Sequence, residues 1–218
     1  MRRPREVVLV HGMWHQPAHF DAFRAALERA GHVVRVPLLH RGSLAEDVAA
    51  VQEAIEHCSE PPVLVGHSYG GAVIGHTTGA RAMLFVTGFV LEVGESCAAV
   101  AGPPPCMPAI VSNPDGSTSL DPDLAPQYFY ADCAPGDVER AVAQLVRQER
   151  GHGRTPAWAS TWREVPTRYV VCEQDRAIEV EVQRRMAARC MTQVAMPTSH
   201  SPFVSQPEAL AAEVSALA

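Results

Sequence analysis

The chain contains no lysine, so all 18 basic residues among its 218 are arginine. This absence excludes a Schiff-base lysine, a phosphate-binding P-loop lysine and a lysine-assisted lyase site. The sequence also lacks the G-x-G-x-x-G pattern of dinucleotide-binding folds and the H-E-x-x-H pattern of zinc peptidases. We therefore expect a chemistry that needs no cofactor.

Long apolar runs and runs of like charge are also missing. No segment is apolar for long enough to span a bilayer, and the apolar run Val7–Val10 is too short for a signal-peptide core. A net charge of -6 without basic clusters makes nucleic acid and anionic membranes poor partners. We expect a cytoplasmic protein, a monomer or weak homodimer, whose partner is a small molecule.

The composition suits one domain with a full core, because 47% of the residues are apolar and 19% are charged. The six cysteines show no C-x-x-C spacing. Three disulfides are conceivable in a secreted chain, but a domain of this size without an export signal does not need them. Free thiols are therefore the favoured interpretation.

The stretch Val63–Ile74 carries the strongest motif, since Gly66-His67-Ser68-Tyr69-Gly70 fits G-x-S-x-G. A short apolar strand precedes it and a small-residue helix follows, which is the context that a nucleophile elbow requires. The glycines let strand and helix approach each other around a strained turn. The motif predicts Ser68 as a nucleophile and the Tyr69 N–H as an oxyanion donor. The alternative is a glycine-rich turn with a surface serine.

Around this motif, short apolar strands alternate with helices, which predicts an α/β fold. We expect a mostly parallel sheet of about six strands, flanked by helices. The whole chain, residues 1–218, is predicted to form a single domain. The predicted strands besides that of the motif are Glu6–Val10, His32–Pro37, Arg81–Val86, Thr167–Cys172 and Met191–Met196. The predicted helices besides that of the motif are Pro17–Gly31, Leu44–His57, Glu179–Cys190 and Pro207–Leu217.

The alternation stops between about residues 92 and 165, between the fourth and fifth strands. An insertion of this size is typical of a lid over an active site. Within it, 124–130 reads as a short helix, 137–150 as a longer one, and 113–116 as a turn. Aromatic side chains here and near the site are candidates for an apolar pocket, although they could instead pack the lid onto the body. These candidates are Trp14, Phe89, Tyr128, Trp158 and Trp162.

A base and an acid follow later strands. Asp175 comes after the fifth strand and His200 after the last, so both lie, like Ser68, at the edge where open α/β sheets place their sites. The order Ser, Asp, His is that of α/β-hydrolases. His200 would take the serine proton, Asp175 would orient the imidazole, and Met13 would supply the second oxyanion N–H. Glu173 is the rival acid, since it shares the strand alternation of Asp175.

Three evenly spaced histidines form a second pattern, which could indicate a metal site. His11, His15 and His19 are spaced by four, which would suit a metal site if the segment were helical. However, Gly12 and Pro17 interrupt any helix there. We therefore expect no metal site.

Several stretches together resemble the small α/β-hydrolases that include salicylate-type methylesterases, pyrethroid-type esterases and hydroxynitrile lyases. The stretches are Val8–Gly12, Gly66–Gly71, Tyr128–Cys133, Tyr169–Ile178, Gln183–Met186 and Thr198–Phe203. The resemblance spans nearly the whole chain, and it implies the triad Ser68, Asp175 and His200 with oxyanion donors Met13 and Tyr69.

Departures from this family narrow the expected activity. Its lyases carry threonine at the position of Gly12 and lysine at that of Ser201, so the resemblance favours ester hydrolysis. Relatives usually carry an acidic residue and alanine directly before the phenylalanine, whereas this chain has Thr87 and Gly88 before Phe89. We expect a serine esterase acting on a small, largely apolar carboxylic ester. The alternatives are a thioesterase, lactonase or cyclase with the same triad, or a non-catalytic binding protein on this fold.

Overall fold

A central six-stranded parallel sheet organises the computed structural model, which describes residues 5–39, 42–149 and 151–217. The sheet strands are β1 (Glu6–Val10), β2 (Val33–Arg35), β3 (Val63–His67), β4 (Ala82–Val86), β7 (Thr167–Cys172) and β8 (Thr192–Met196). Their order in the sheet is β2-β1-β3-β4-β7-β8, and every pairing is parallel. The predicted α/β fold is thereby confirmed.

Helices cover both faces of this sheet, as a parallel sheet requires. Alternate residues of β1 enter different cores: Val8 and Val10 pack on one face, and Val7 and Leu9 on the other. The first core includes side chains from α2 (Leu44–Glu56), α3 (Tyr69–Ile74) and α7 (Val180–Ala187). The second includes side chains from α1 (Asp21–Arg29), α8 (Pro202–Ser205) and α9 (Pro207–Leu217).

In its described part, the segment between β4 and β7 adds no strand to the main sheet. Its apolar side chains, Leu120 and Phe129 among them, pack with Trp14 in a cluster separate from the two cores. We call residues 92–165 the lid. It contains a hairpin of two three-residue strands that the sequence did not predict. The lid elements are α4 (Cys97–Ala101), β5 (Ile110–Ser112), β6 (Thr118–Leu120), α5 (Ala125–Phe129) and α6 (Pro135–Ala143), with 3-10 turns at His152–Arg154 and Thr161–Glu164.

The longer lid helix is a correction to the sequence prediction. It begins at Pro135, where proline suits a first helical position, and ends at Ala143 instead of residue 150. Beyond it the chain pairs with other segments: the Val146 N–H donates to the Trp14 carbonyl at 2.9 Å, and Thr118 forms an antiparallel bridge with Gln148. A helix over 137–150 would bury one apolar face, yet of the five residues of that face only Ala141 is buried; the five are Val138, Ala141, Val142, Leu145 and Val146. Arg150, the predicted end, lies outside the described residues, as do residues 1–4.

Two further features bear on the sequence predictions. All six cysteines are free thiols in the structure. Among the residues described, no helix has both the length and the apolar character needed to cross a membrane.

Candidate active site

Ser68 sits between β3 and α3 in the strand–turn–helix that its motif predicted. Its backbone has φ 53° and ψ -122°, a conformation that non-glycine residues adopt at a cost of order 1–3 kcal/mol. Backbone hydrogen bonds hold the turn: Ser68 N–H donates to Val86 O at 3.2 Å, and Ser68 O accepts from Phe89 N–H at 3.0 Å. This strained turn has the geometry of a nucleophile elbow, with a half-buried serine at its apex.

Two glycines explain how the elbow fits against β1. A Cβ on Gly70 would lie 2.2 Å from the Val10 carbonyl oxygen, so this position accepts no side chain. A Cβ on Gly12 would lie 2.9 Å from the Ser68 Cβ and 3.0 Å from His67 Nδ1. The loop after β1 can therefore reach the serine only because Gly12 lacks a side chain.

Asp175 and His200 are brought together at the carboxyl ends of β7 and β8. His200 Nδ1–H donates to Asp175 Oδ2 at 2.8 Å, and both side chains are almost fully buried. The carboxylate accepts further hydrogen bonds, which is how a buried charge is stabilised. Its Oδ1 accepts from the N–H groups of Ala177 and Ile178 at 2.7 and 3.0 Å.

The other acid considered, Glu173, has an exposed side chain. Its N–H donates to Met196 O at 2.9 Å, but Glu173 lies past the end of β7, in a turn. The Asp175 N–H closes this turn onto the Cys172 carbonyl at 3.2 Å, so the strand alternation does not extend from Glu173 to Asp175. The two carboxylates have different surroundings. The structure therefore favours Asp175 as the partner of His200.

Two donors to Asp175 Oδ2 were missed by sequence reasoning. Thr87, directly after β4, donates its hydroxyl at 2.7 Å, and Gln183 of α7 donates its amide at 3.0 Å. Gln183 also pairs with the backbone of Cys172 and Ile178. Gln183 belongs to one of the stretches that carry the family resemblance, and Thr87 is one of the residues at which this chain differs from the family. No sequence spacing links either residue to Asp175.

Buried histidines surround the base. His67 Nε2–H donates to the His200 carbonyl at 3.0 Å, and the two rings are 4.6 Å apart in an edge-to-face arrangement. Burial, together with the charge of His200, lowers the pKa of His67 well below its usual value. Burial and the neighbouring His19 and His67 do the same for the pKa of His15. Both imidazoles are therefore neutral near pH 7.

His15 fixes the loop that carries Met13. Its Nδ1–H donates to the Met13 carbonyl at 2.8 Å, which leaves Nε2 to accept from the Tyr130 hydroxyl of the lid at 3.0 Å. The same loop meets the lid again where Trp14 Nε1–H donates to Thr118 Oγ1 at 3.1 Å. The candidate oxyanion loop and the lid are therefore joined by polar contacts.

The base loop and the elbow also contact the lid. Ser199, next to His200, donates its hydroxyl to Asp132. Below the elbow, Tyr69 OH donates to the fully buried Asp47 at 2.9 Å, and the lid residue His152 places Nε2 3.5 Å from the same oxygen. Burial and the adjacent Asp47 raise the pKa of the Tyr69 phenol, so it remains a donor. Asp47 was not singled out from the sequence.

The candidate pocket aromatics divide into two groups. Trp14 is buried with its ring 6.0 Å from Phe129, Tyr128 is half-buried in the same lid cluster, and Phe89 is buried beside the elbow.

The other two aromatics contact the body of the molecule. Trp158 is half exposed with its ring 4.1 Å from that of His76, and the buried Trp162 donates Nε1–H to Leu91 O at 2.9 Å. For these two the contacts are those of lid-to-body packing, the alternative considered from the sequence.

The three histidines spaced by four do not form a helix together. His11 and His15 lie in the loop after β1, and His19 lies in a 3-10 turn at Pro17–Phe20. Over residues 5–39, 42–149 and 151–217, no group of three or more metal-binding side chains converges. The His19 ring instead pairs with the Ala141 carbonyl of the lid at 3.0 Å.

The chain is similar in sequence and in fold to known hydrolases. The chain is 29% identical to alpha/beta hydrolase nvfD of Aspergillus novofumigatus over 93% of this chain and 92% of that protein. It is 24% identical to a pyrethroid hydrolase of Sphingobium wenxiniae over 94% of this chain and 85% of that protein. A pyrethroid hydrolase structure from Sphingobium faniae JZ-2 superimposes with a TM-score of 0.87 at 22% identity, covering 98% of this chain and 97% of that chain.

These similarities confirm the suspected family and its fold. A family model described as the alpha/beta hydrolase family matches residues 7–213, which is nearly the whole chain. The matched region includes every candidate residue of the site. The chain therefore belongs to the alpha/beta hydrolase family.

Proposed function

We propose that the protein is a serine hydrolase that cleaves a carboxylic ester of a small, largely apolar molecule. The observation that carries the proposal is the Asp175–His200 hydrogen bond at the same sheet edge as the strained Ser68 elbow. Relatives named pyrethroid hydrolase and carbendazim hydrolyzing esterase support an ester substrate. The apolar cluster that Trp14 forms with lid residues such as Phe129 supports an apolar one.

In the proposed mechanism, His200 Nε2 removes the proton from Ser68 Oγ as Oγ attacks the acyl carbon. Asp175 holds the Nδ1–H tautomer and stabilises the imidazolium that forms. The N–H groups of Met13 and Tyr69 bind the oxyanion. His200 then protonates the leaving alcohol, and the same base activates the water that hydrolyses the acyl-enzyme.

The first test is hydrolysis of p-nitrophenyl acetate and butyrate by the wild type and by Ser68→Ala. We expect kcat to fall by about 10⁴-fold or more in the variant, because the nucleophile is lost while the fold remains. Ser59→Ala is a matched control, since Ser59 is exposed on a turn outside the site. Equal rates in the wild type and Ser68→Ala would refute the proposal.

A fluorophosphonate probe covers the case in which neither ester is turned over. Labelling of the wild type but not of Ser68→Ala would show an activated serine whose lid selects other esters, thioesters or lactones. A folded wild type that hydrolyses nothing and is not labelled would refute the proposal and favour a binding protein.

A further inference from the structure

Thr87 has an unusual backbone for its residue type. Its φ is 39°, in the left-handed region, and a β-branched side chain is a rare occupant of that region. Among the described non-glycine residues, only Trp14 and Ser68 share a positive φ. The elbow accounts for Ser68, but no motif accounts for Thr87. Backbone strain of this kind concentrates at functional sites.

The surrounding backbone explains why the strained turn persists. Thr87 N–H donates to Val170 O of β7 at 3.0 Å, and Phe89 N–H, two residues later, donates to Ser68 O at 3.0 Å. The turn is therefore fixed between the elbow and the strand that leads to Asp175. A glycine would follow this path without strain, so backbone geometry alone gives no reason for threonine.

The side chain supplies that reason. Thr87 is fully buried, and its hydroxyl donates to Asp175 Oδ2 at 2.7 Å. That oxygen is also the acceptor for His200 Nδ1–H at 2.8 Å. A hydroxyl donor to an ionised carboxylate is a strong, directional bond that restricts rotation of the carboxylate.

Gln183 differs from Thr87 although it donates to the same oxygen. Its amide also pairs with Cys172 N–H, Cys172 O and Ile178 O, so it holds the loop as well as the acid. Within the described residues the Thr87 hydroxyl is bonded to Asp175 alone. Removing this hydroxyl therefore tests the acid without cutting the loop.

We propose that Thr87 is a positioning residue for the hydrolysis, holding Asp175 Oδ2 in line with the imidazole of His200. The inference rests on the proposed function, because it assigns Thr87 an effect on turnover through Asp175 and His200. Thr87 touches neither nucleophile nor substrate in this role. It should change kcat and leave KM nearly unchanged.

The test compares Thr87→Val, Thr87→Ser and Thr87→Gly. Valine keeps the shape and removes the hydroxyl, and we expect kcat on p-nitrophenyl acetate to fall roughly 10- to 100-fold with KM within about twofold. Serine keeps the hydroxyl and should stay within about threefold of the wild type. Glycine relieves the backbone strain but lacks the hydroxyl, so its kcat should fall like that of valine. If Thr87→Val fails to fold, Thr87→Gly decides.

A spectroscopic measurement separates positioning from a general structural effect. The downfield ¹H NMR resonance of the His200 Nδ1 proton reports its bond to Asp175 Oδ2. It should shift in Thr87→Val and Thr87→Gly and match the wild type in Thr87→Ser. A folded Thr87→Val with wild-type kcat and an unshifted resonance would overturn the inference. Ser68→Ala, assayed in parallel, tests the proposed function separately. It should be inactive whether or not Thr87 positions Asp175, whereas a Ser68→Ala variant as active as the wild type would mean that the proposed function itself has failed.

Discussion

Two buried carboxylates near the elbow each face a histidine. Asp175 Oδ2 accepts from His200 Nδ1 at 2.8 Å, whereas Asp47 Oδ2 lies 3.5 Å from His152 Nε2, which is long for a hydrogen bond. Asp175 follows β7, at the carboxyl ends of the sheet strands. Asp47 lies in the first turn of α2, and its histidine comes from the lid.

A buried Asp–His pair does not by itself define a catalytic site. Asp175 and His200 end neighbouring parallel strands at the edge where Ser68 also lies. Asp47 instead accepts from the Tyr69 hydroxyl, so it binds the side chain of an elbow residue and faces the lid. We expect the first carboxylate to control turnover and the second to control stability.

Replacing the first carboxylate should have the largest effect. In Asp175→Asn the amide no longer enforces the Nδ1–H tautomer of His200, and we expect kcat to fall about 10⁴-fold. Steady-state hydrolysis of p-nitrophenyl butyrate measures the loss. The matched control is Glu173→Gln, which neutralises the exposed rival acid and should leave kcat within about twofold. If Glu173→Gln were the inactive variant, the assignment of the acid would be wrong.

Acid should lower the stability of the fold through the buried histidines near His200. The pKa values of His15 and His67 are lowered by burial, so below pH 6.5 the unfolded chain binds more protons than the folded one. The free energy of unfolding should therefore fall as the pH drops from about 6.5, by up to about 1.4 kcal/mol per pH unit for each histidine. Urea denaturation at pH 7.5, 6.5 and 5.5 measures this slope.

His15→Gln provides the comparison for that slope. Without one of the two titrating groups, the variant should lose less stability between pH 6.5 and 5.5 than the wild type does. Equal free energies of unfolding for the wild type at pH 7.5 and 5.5 would contradict the prediction.

Replacing the phenol bound to the second carboxylate should affect stability more than activity. Tyr69→Phe removes the hydroxyl donor to a fully buried Asp47, and we expect a loss of about 1–3 kcal/mol in the free energy of unfolding. The backbone N–H proposed to bind the oxyanion remains, so kcat should change less than tenfold. Thermal unfolding and ester hydrolysis measure the two effects, and Tyr128→Phe, at a half-buried tyrosine of the lid, is the control for the free energy of unfolding. A 100-fold loss of kcat at an unchanged melting temperature would assign Asp47 to the chemistry.

Local pattern was sufficient for the sheet and its helices. β1, β7 and α9 have the predicted bounds, because continuous apolar runs and a proline start are strong signals. The lid was predicted less well. The turn at 113–116 was recognised, but its strands have only three residues each, too few for a periodic pattern. The helix from Pro135 ended early because pairing with Trp14 and Thr118 outweighs local propensity.

The fold, the elbow at Ser68 and the candidates Asp175 and His200 can be predicted from the amino-acid sequence, since a strand end, a glycine pattern and chain order can be read along the chain. Three-dimensional contacts are needed to show that Asp175 is buried against His200 while Glu173 is exposed, that Thr87, Gln183 and Asp47 bond to site residues, and that Tyr130 bonds to His15. These contacts join residues far apart in the chain, and their energy depends on distance and burial, which no spacing in the sequence records.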